Sequence, residues 1–265
     1  MSEHQISTEP GVKLTVKYER RGNTPVVMFG NSLASDMSMW REVLAALGDE
    51  VSTLTCDTRG HGASVSHGQP VDIETLGLDV IRVLDHFGIE KVIYVGLSLG
   101  GLTGMWLAAN HPTRVSGLVL ANTAVSFPPP SMWHERAAVA RRDGLAPLVQ
   151  ATLGRWLTPR FQDNHAQRTA EIAEMIGTTP GEGYALCCEA LANADLRESL
   201  GRIECPVEVI AGTHDVSTPP ARLHEILGLI GDGGFLEVDA AHLAAVEAPE
   251  AFANIIRKLA RKTGL

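Results

Sequence analysis

Long apolar runs are missing from this chain. None approaches the roughly 20 residues that a membrane-spanning helix needs. The first ten residues, MSEHQISTEP, are polar and acidic, without the basic start and apolar core of a secretory signal. Basic residues are outnumbered: 22 Lys and Arg face 31 Asp and Glu, for a formal net charge of -9. That balance argues against nucleic acid or an anionic membrane as the main partner, although one local arginine can still hold a small anion. The four cysteines, Cys56, Cys187, Cys188 and Cys205, show no C-x-x-C spacing. They read as reduced thiols of a cytoplasmic protein, not as a disulfide framework or a zinc site. There is no H-E-x-x-H and no G-x-G-x-x-G, so neither a metal nor an organic cofactor is expected. No internal repeat and no low-complexity tract stands out.

What is present suits a single large core. The chain has 265 residues, 45% of them hydrophobic and 20% charged. Short β-branched runs alternate with helical periodicity. VKLTVKYER (12–20) alternates as a strand, and PVVMFG (25–30), VSTLTCD (51–57), KVIYVG (91–96) and VSGLVLANT (115–123) read as buried strands. Helices are predicted over MSMWREVLAALG, IETLGLDVIRVLDHFG and LGGLTGMWLAANHP. The alternation predicts an α/β fold, a mostly parallel sheet with helices on both faces. From residue 127 to about 200 no strand-like run occurs, and four helices are predicted instead. Strands resume at PVEVIAG and GFLEVD, and a helix closes the chain over PEAFANIIRKLARK. The expected organisation is a core of 1–126 and 201–265 interrupted by a helical cap over 127–200.

One serine stands between glycines in Gly96-Leu97-Ser98-Leu99-Gly100. Alone, such a pentapeptide is weak, since a small-residue turn would look the same. Its context is stronger: a strand leads into Ser98 and a helix leads away, as a nucleophile elbow requires. The glycines would relieve crowding on a tight turn, and the helix N-terminus would favour an oxyanion. A serine hydroxyl needs a base, and the base an orienting carboxylate. Asp215 follows PVEVIAG and His242 follows GFLEVD, in the chain order Ser, Asp, His. His214 and Asp239 are rivals; Asn122 lies where some enzymes of such a fold place the acid but carries no charge. Asp215 could instead cap the helix near Pro219. The oxyanion donors would be the backbone N–H groups of Leu99 and, in the loop FGNSLASDMSMW, of Leu33. Ser35 or Asp36 could cap the helix that follows this loop.

These stretches resemble the α/β-hydrolase superfamily, over almost the whole chain. GNSLASDMSMW, CDTRGHGAS, VGLSLGGLTGMWLAANHPTRVSGLVLANTA, GTHDVSTPP and AHLAAVEAPEAF are more narrowly similar to 3-oxoadipate enol-lactonases. Ala34 departs from a frequent glycine and Leu99 from a frequent methionine. Arg59 is expected to brace its turn, with His61 a turn residue beside it. The resemblance implies that the first helix of the insertion overlooks Ser98. Trp133 and Arg136, three apart on that helix, would then form an aromatic wall and an anion site, with Asn31 and Ser32 on the substrate side and Trp156 lining the pocket. It also implies a small anionic lactone or ester as substrate, opened through an acyl-enzyme to give 3-oxoadipate, in aromatic-compound catabolism. An esterase or lactonase on another acyl substrate, a carbon–carbon bond hydrolase, a cofactor-free oxygenase and a non-enzymatic ligand binder remain as alternatives. Assembly as a homo-oligomer is left open.

Overall fold

The computed structural model describes residues 2–263. The chain opens with β1 (Ser2–Glu9) and β2 (Val12–Glu19), an antiparallel pair, followed by β3 (Val26–Gly30). Helix α1 (Arg41–Leu47), strand β4 (Ser52–Cys56) and the two-residue strand β5 (Val65–Ser66) come next. Then α2 (Ile73–His86), β6 (Val92–Leu97), α3 (Leu99–Asn110) and β7 (Val115–Ala121) complete the first half. Five helices follow: α4 (Pro130–Asp143), α5 (Val149–Trp156), α6 (Pro159–Asn164), α7 (Ala166–Thr178) and α8 (Gly181–Asn193). The chain ends with β8 (Val207–Gly212), α9 (Pro220–Ile230), β9 (Gly234–Val238), α10 (Ala244–Glu247) and α11 (Pro249–Thr263).

Nine strands form one sheet in the order β1-β2-β4-β3-β6-β7-β8-β9, with β5 paired to β2. From β4 to β9 every neighbour is parallel; only β1, β2 and β5 run antiparallel. Every residue of β6, β7 and β8 is buried, which accounts for sequences that are apolar apart from Ser116 and Glu208, the latter paired with Lys258. Helices cover both faces. In β7 an added Cβ at Gly117 would meet Leu259 of α11, while the next residue, Leu118, reaches Gly104 of α3. Successive strand residues point to opposite faces, so α3 and α11 lie on opposite sides. Helix α11 earns its place by pattern: Phe252, Ile255, Ile256 and Leu259 fall on one face and are buried.

Four elements lie outside the expected ones: β1, the two-residue β5, α6 and the one-turn α10. The polar, acidic SEHQISTE forms β1, pairing Ile6 with Leu14. Ile6 is its single buried apolar side chain, and the charges around it are those of a sheet edge. Helix α6 was also missed. Its start is marked by Thr158, whose side chain accepts from the Phe161 N–H, followed by Pro159 in the first turn. Among the described residues no helix is long and apolar enough to cross a membrane. Nor, among the described residues, is any group of three or more His, Cys, Asp or Glu side chains placed to hold a metal ion.

Candidate active site

The carboxyl ends of the parallel strands gather the site. Ser98 follows β6, Asn122 follows β7, Asp215 lies just past β8, His242 just past β9, and Leu33 just past β3. The turn at Ser98 is tight: its φ is 57° and ψ -113°. The protein has three non-glycine residues at positive φ among those described, and all belong to these loops: Ala34 (64°), Ser98 (57°) and Asn122 (43°). The glycines permit the turn. A Cβ on Gly96 would strike the Gly100 carbonyl, and one on Gly100 the Gly30 carbonyl. A Cβ on Gly101 would come within 2.8 Å of the Thr123 side chain, so this glycine lets α3 sit against the loop after β7.

Asp215 and His242 are joined at 2.8 Å between Oδ2 and Nδ1, both buried. The carboxylate is heavily solvated by the protein. Oδ1 accepts from the backbone N–H groups of Ser217 (2.7 Å) and Thr218 (3.0 Å). Oδ2 also accepts from the Thr218 hydroxyl (2.7 Å) and the Asn122 amide (2.8 Å). Burial alone would raise the Asp215 pKa; the His242 charge and the hydrogen bonds from His242, Asn122 and Thr218 outweigh it and hold the carboxyl well below its usual range. The two backbone bonds are those of a capping turn, yet α9 begins only at Pro220, so the same residue serves the turn and the imidazole. The rivals lie elsewhere: His214 Nε2 pairs with Asp239 at 2.8 Å on the exposed surface.

Ser98 and His242 open onto one cavity of about 490 Å³. Its floor adds Ser32, Leu33 and Ala34; its walls come from Phe127, Met132, Trp133, Arg136, Thr152, Arg155, Trp156, Val216 and Ser217. The Leu99 N–H begins α3 and is one of the amides a helix cannot satisfy internally. Leu33 sits opposite, in the loop between Ser32 and the left-handed Ala34. Asn31 is not part of the cavity, contrary to expectation. Its amide nitrogen donates to the Cys56 carbonyl (2.9 Å) and its oxygen accepts from Trp40 Nε1 (2.9 Å), so the side chain braces β3 against β4. Of the two possible caps, it is Asp36 that accepts from the Ser38 N–H.

The walls from α4 and α5 carry a feature that the sequence hid. Trp133 donates from Nε1 to the Phe127 carbonyl (2.6 Å), which fixes its indole, and the Arg136 guanidinium lies 5.0 Å over that ring and 5.7 Å from the Tyr184 ring. Arg155 enters beside it, its guanidinium donating to Thr152 Oγ1 at 3.4 Å. Burial, and next the Arg136 charge, lower the Arg155 pKa from the usual guanidinium value. Among the described residues neither arginine has a carboxylate partner. Two like charges thus share one wall of the cavity, half-buried and without a counterion among the described residues. Arg59 behaves differently. Its fork closes on Asp79 of α2 at 2.6 and 2.7 Å, so it braces the turn. His61 beside it is buried and pushed down by that burial to about 4, hence neutral near pH 7.

Residues 25–249 match the family model described as the alpha/beta hydrolase fold. The chain is 38% identical to 3-oxoadipate enol-lactonase 2 of Acinetobacter baylyi, over 91% of each chain, and 36% identical to enol-lactonase 1 of the same organism, over 94% of each. The crystal structure of the enol-lactonase from Burkholderia xenovorans LB400 superposes with a TM-score of 0.90 at 38% identity, covering 94% of this chain and 96% of that one.

Proposed function

The chain belongs to the α/β-hydrolase family and is a hydrolase of ester bonds; from that premise we propose that it opens the ring of 3-oxoadipate enol-lactone to give 3-oxoadipate. The observation that carries this reading is the cavity in which Ser98 and His242 face the unpaired Arg136 and Arg155. A lactone bearing one carboxylate fits both halves. The carboxylate goes to the guanidinium pair, the ring lies along Trp133, and its carbonyl reaches Ser98.

His242 takes the Ser98 proton as the Oγ attacks the lactone carbonyl. Asp215 keeps the imidazole in the tautomer with Nδ1 protonated and stabilises its cation. The N–H groups of Leu33 and Leu99 hold the oxyanion, each worth about 3 kcal/mol in the transition state. Collapse breaks the ring C–O bond; the released oxygen receives the proton from His242 as an enol that becomes the ketone while still tethered to the acyl-serine. Water, deprotonated by His242, then attacks the acyl-serine; Ser98 regains a proton and 3-oxoadipate departs. The Ser98 proton thus ends on the product and is replaced from water, the new carboxyl gives one proton to solvent, and water is the only co-reactant consumed. In this reading the helices of 127–200 act as a cap that supplies the specificity wall, and 1–126 with 201–265 the chemical core.

The test is to generate the enol-lactone enzymatically and follow its loss. Rapid loss with wild type and a fall of at least about 10⁵-fold with Ser98→Ala are expected. A wild-type rate no better than buffer overturns the substrate; an undiminished Ser98→Ala rate overturns the nucleophile.

A further inference from the structure

The backbone around His242 is held from outside its own loop. The His242 N–H donates to the Arg155 carbonyl (3.4 Å) and the Leu243 N–H to the Trp156 carbonyl (2.9 Å), so the end of α5 runs alongside the histidine loop. The indole of Trp156 lies 6.4 Å from the imidazole. A single carboxylate then closes this seam. Glu247 Oε2 accepts at 2.7 Å from the N–H of Ala241, the residue immediately before His242. Glu247 Oε1 accepts from the Thr158 N–H at 3.1 Å and from the Thr158 hydroxyl. On its other side, the Ala241 carbonyl accepts from the Asn122 amide at 3.3 Å, the same amide that serves Asp215.

We propose that Glu247 is a positioning residue that fastens the Thr158 end of the helical segment to the peptide preceding His242, so that the seating of that segment sets the imidazole. The proposal rests on the reading of His242 as the base. Its logic is geometric. A carboxylate has two oxygens, and here each faces a different part of the chain, 83 residues apart between Thr158 and Ala241. Both oxygens meet donors, so an amide cannot replace the carboxylate without setting its own N–H₂ against an N–H or a hydroxyl. Charge-assisted bonds of this kind are short and stiff, which suits a part whose task is placement. The glutamate does not line the cavity and touches no reacting atom.

The experiment uses the full-length protein and p-nitrophenyl acetate, an ester independent of the substrate assigned above. Wild type, Glu247→Ala, Thr158→Val and the double variant are compared for kcat, KM and amide exchange at His242 and Leu243. Glu247→Ala should lower kcat about 10- to 100-fold, the scale expected when a catalytic group is misplaced, with KM within about threefold. Thr158→Val, the milder change, should lower kcat less and in the same direction, with faster exchange at the Leu243 amide. The double variant should be no slower than Glu247→Ala alone, because the two residues act through one link. Additive losses, or a folded Glu247→Ala protein with wild-type kcat, overturn the proposal; so does a Thr158→Val protein with unchanged kcat and exchange. Failure of the underlying reading looks different: Ser98→Ala or His242→Ala would then keep wild-type turnover of the same ester.

Discussion

The two sides of the cavity are built by different means. The side contributed by the sheet is specified by backbone: positive φ at Ala34, Ser98 and Asn122, glycines too crowded to carry a Cβ, and a carboxylate saturated with hydrogen bonds. The side contributed by α4 and α5 is specified by side chains on ordinary helices: Trp133, Arg136, Arg155 and Trp156. The contrast teaches where tolerance should lie. Backbone conformations and close approaches leave few substitutions open, whereas a helix surface exchanges side chains without changing path. In the proposed function, reaction type and substrate choice are therefore written in separable parts of the molecule.

This separation can be broken by experiment. The largest effect is expected on the sheet side: Asp215→Asn should cost about 10⁴-fold in kcat on every ester tested, by presenting an amide where the imidazole needs a carboxylate. Steady-state kinetics on one anionic and one neutral ester checks it; a loss confined to the anionic ester would place Asp215 on the wrong side of the comparison. Next come the guanidiniums. Arg136→Met with Arg155→Met should lower kcat/KM for a carboxylate-bearing ester or lactone about 10- to 100-fold, as expected for lost charge-assisted hydrogen bonds, and change p-nitrophenyl acetate hydrolysis by less than about threefold. Equal losses on both substrates would mean that the arginines serve the helices, not the ligand. The smallest effect sharpens the backbone argument. Ala34→Gly relieves a left-handed alanine and should raise stability by about 1 kcal/mol, read as a shift in the denaturation midpoint. A destabilised variant would show that φ of 64° at Ala34 costs the fold little.

The same division explains what could be read from the amino-acid sequence. The order of strands and helices, and the convergence of Ser98, Asp215 and His242 on one sheet edge, followed from apolar periodicity and glycine spacing, which are local signals. Strand β1 escaped because an edge strand needs few apolar side chains, and α6 because six residues give little periodicity to detect. The side-chain roles were less legible. The resemblance implies Asn31 on the substrate side, but its amide turns away to Cys56 and Trp40, which no local pattern marks. Arg155 carries no local mark at all, since what distinguishes it is the lack of a counterion, a property of the folded neighbourhood. Glu247 stood in a quoted motif, AHLAAVEAPEAF, yet its second partner is Thr158, a relation that no spacing reveals.

Gly60 and Gly183 meet so closely that a Cβ on Gly60 would lie 2.6 Å from the Gly183 Cα. This contact packs α8 against the turn that Arg59 braces, while Glu247 bonds Thr158 midway along the segment 127–200. Met132 and Val216 both line the chamber and stand among the large apolar side chains left exposed on the surface, so they form part of its rim. Trimming those two side chains should widen the range of molecules admitted while leaving both glycines and the Thr158 bond in place.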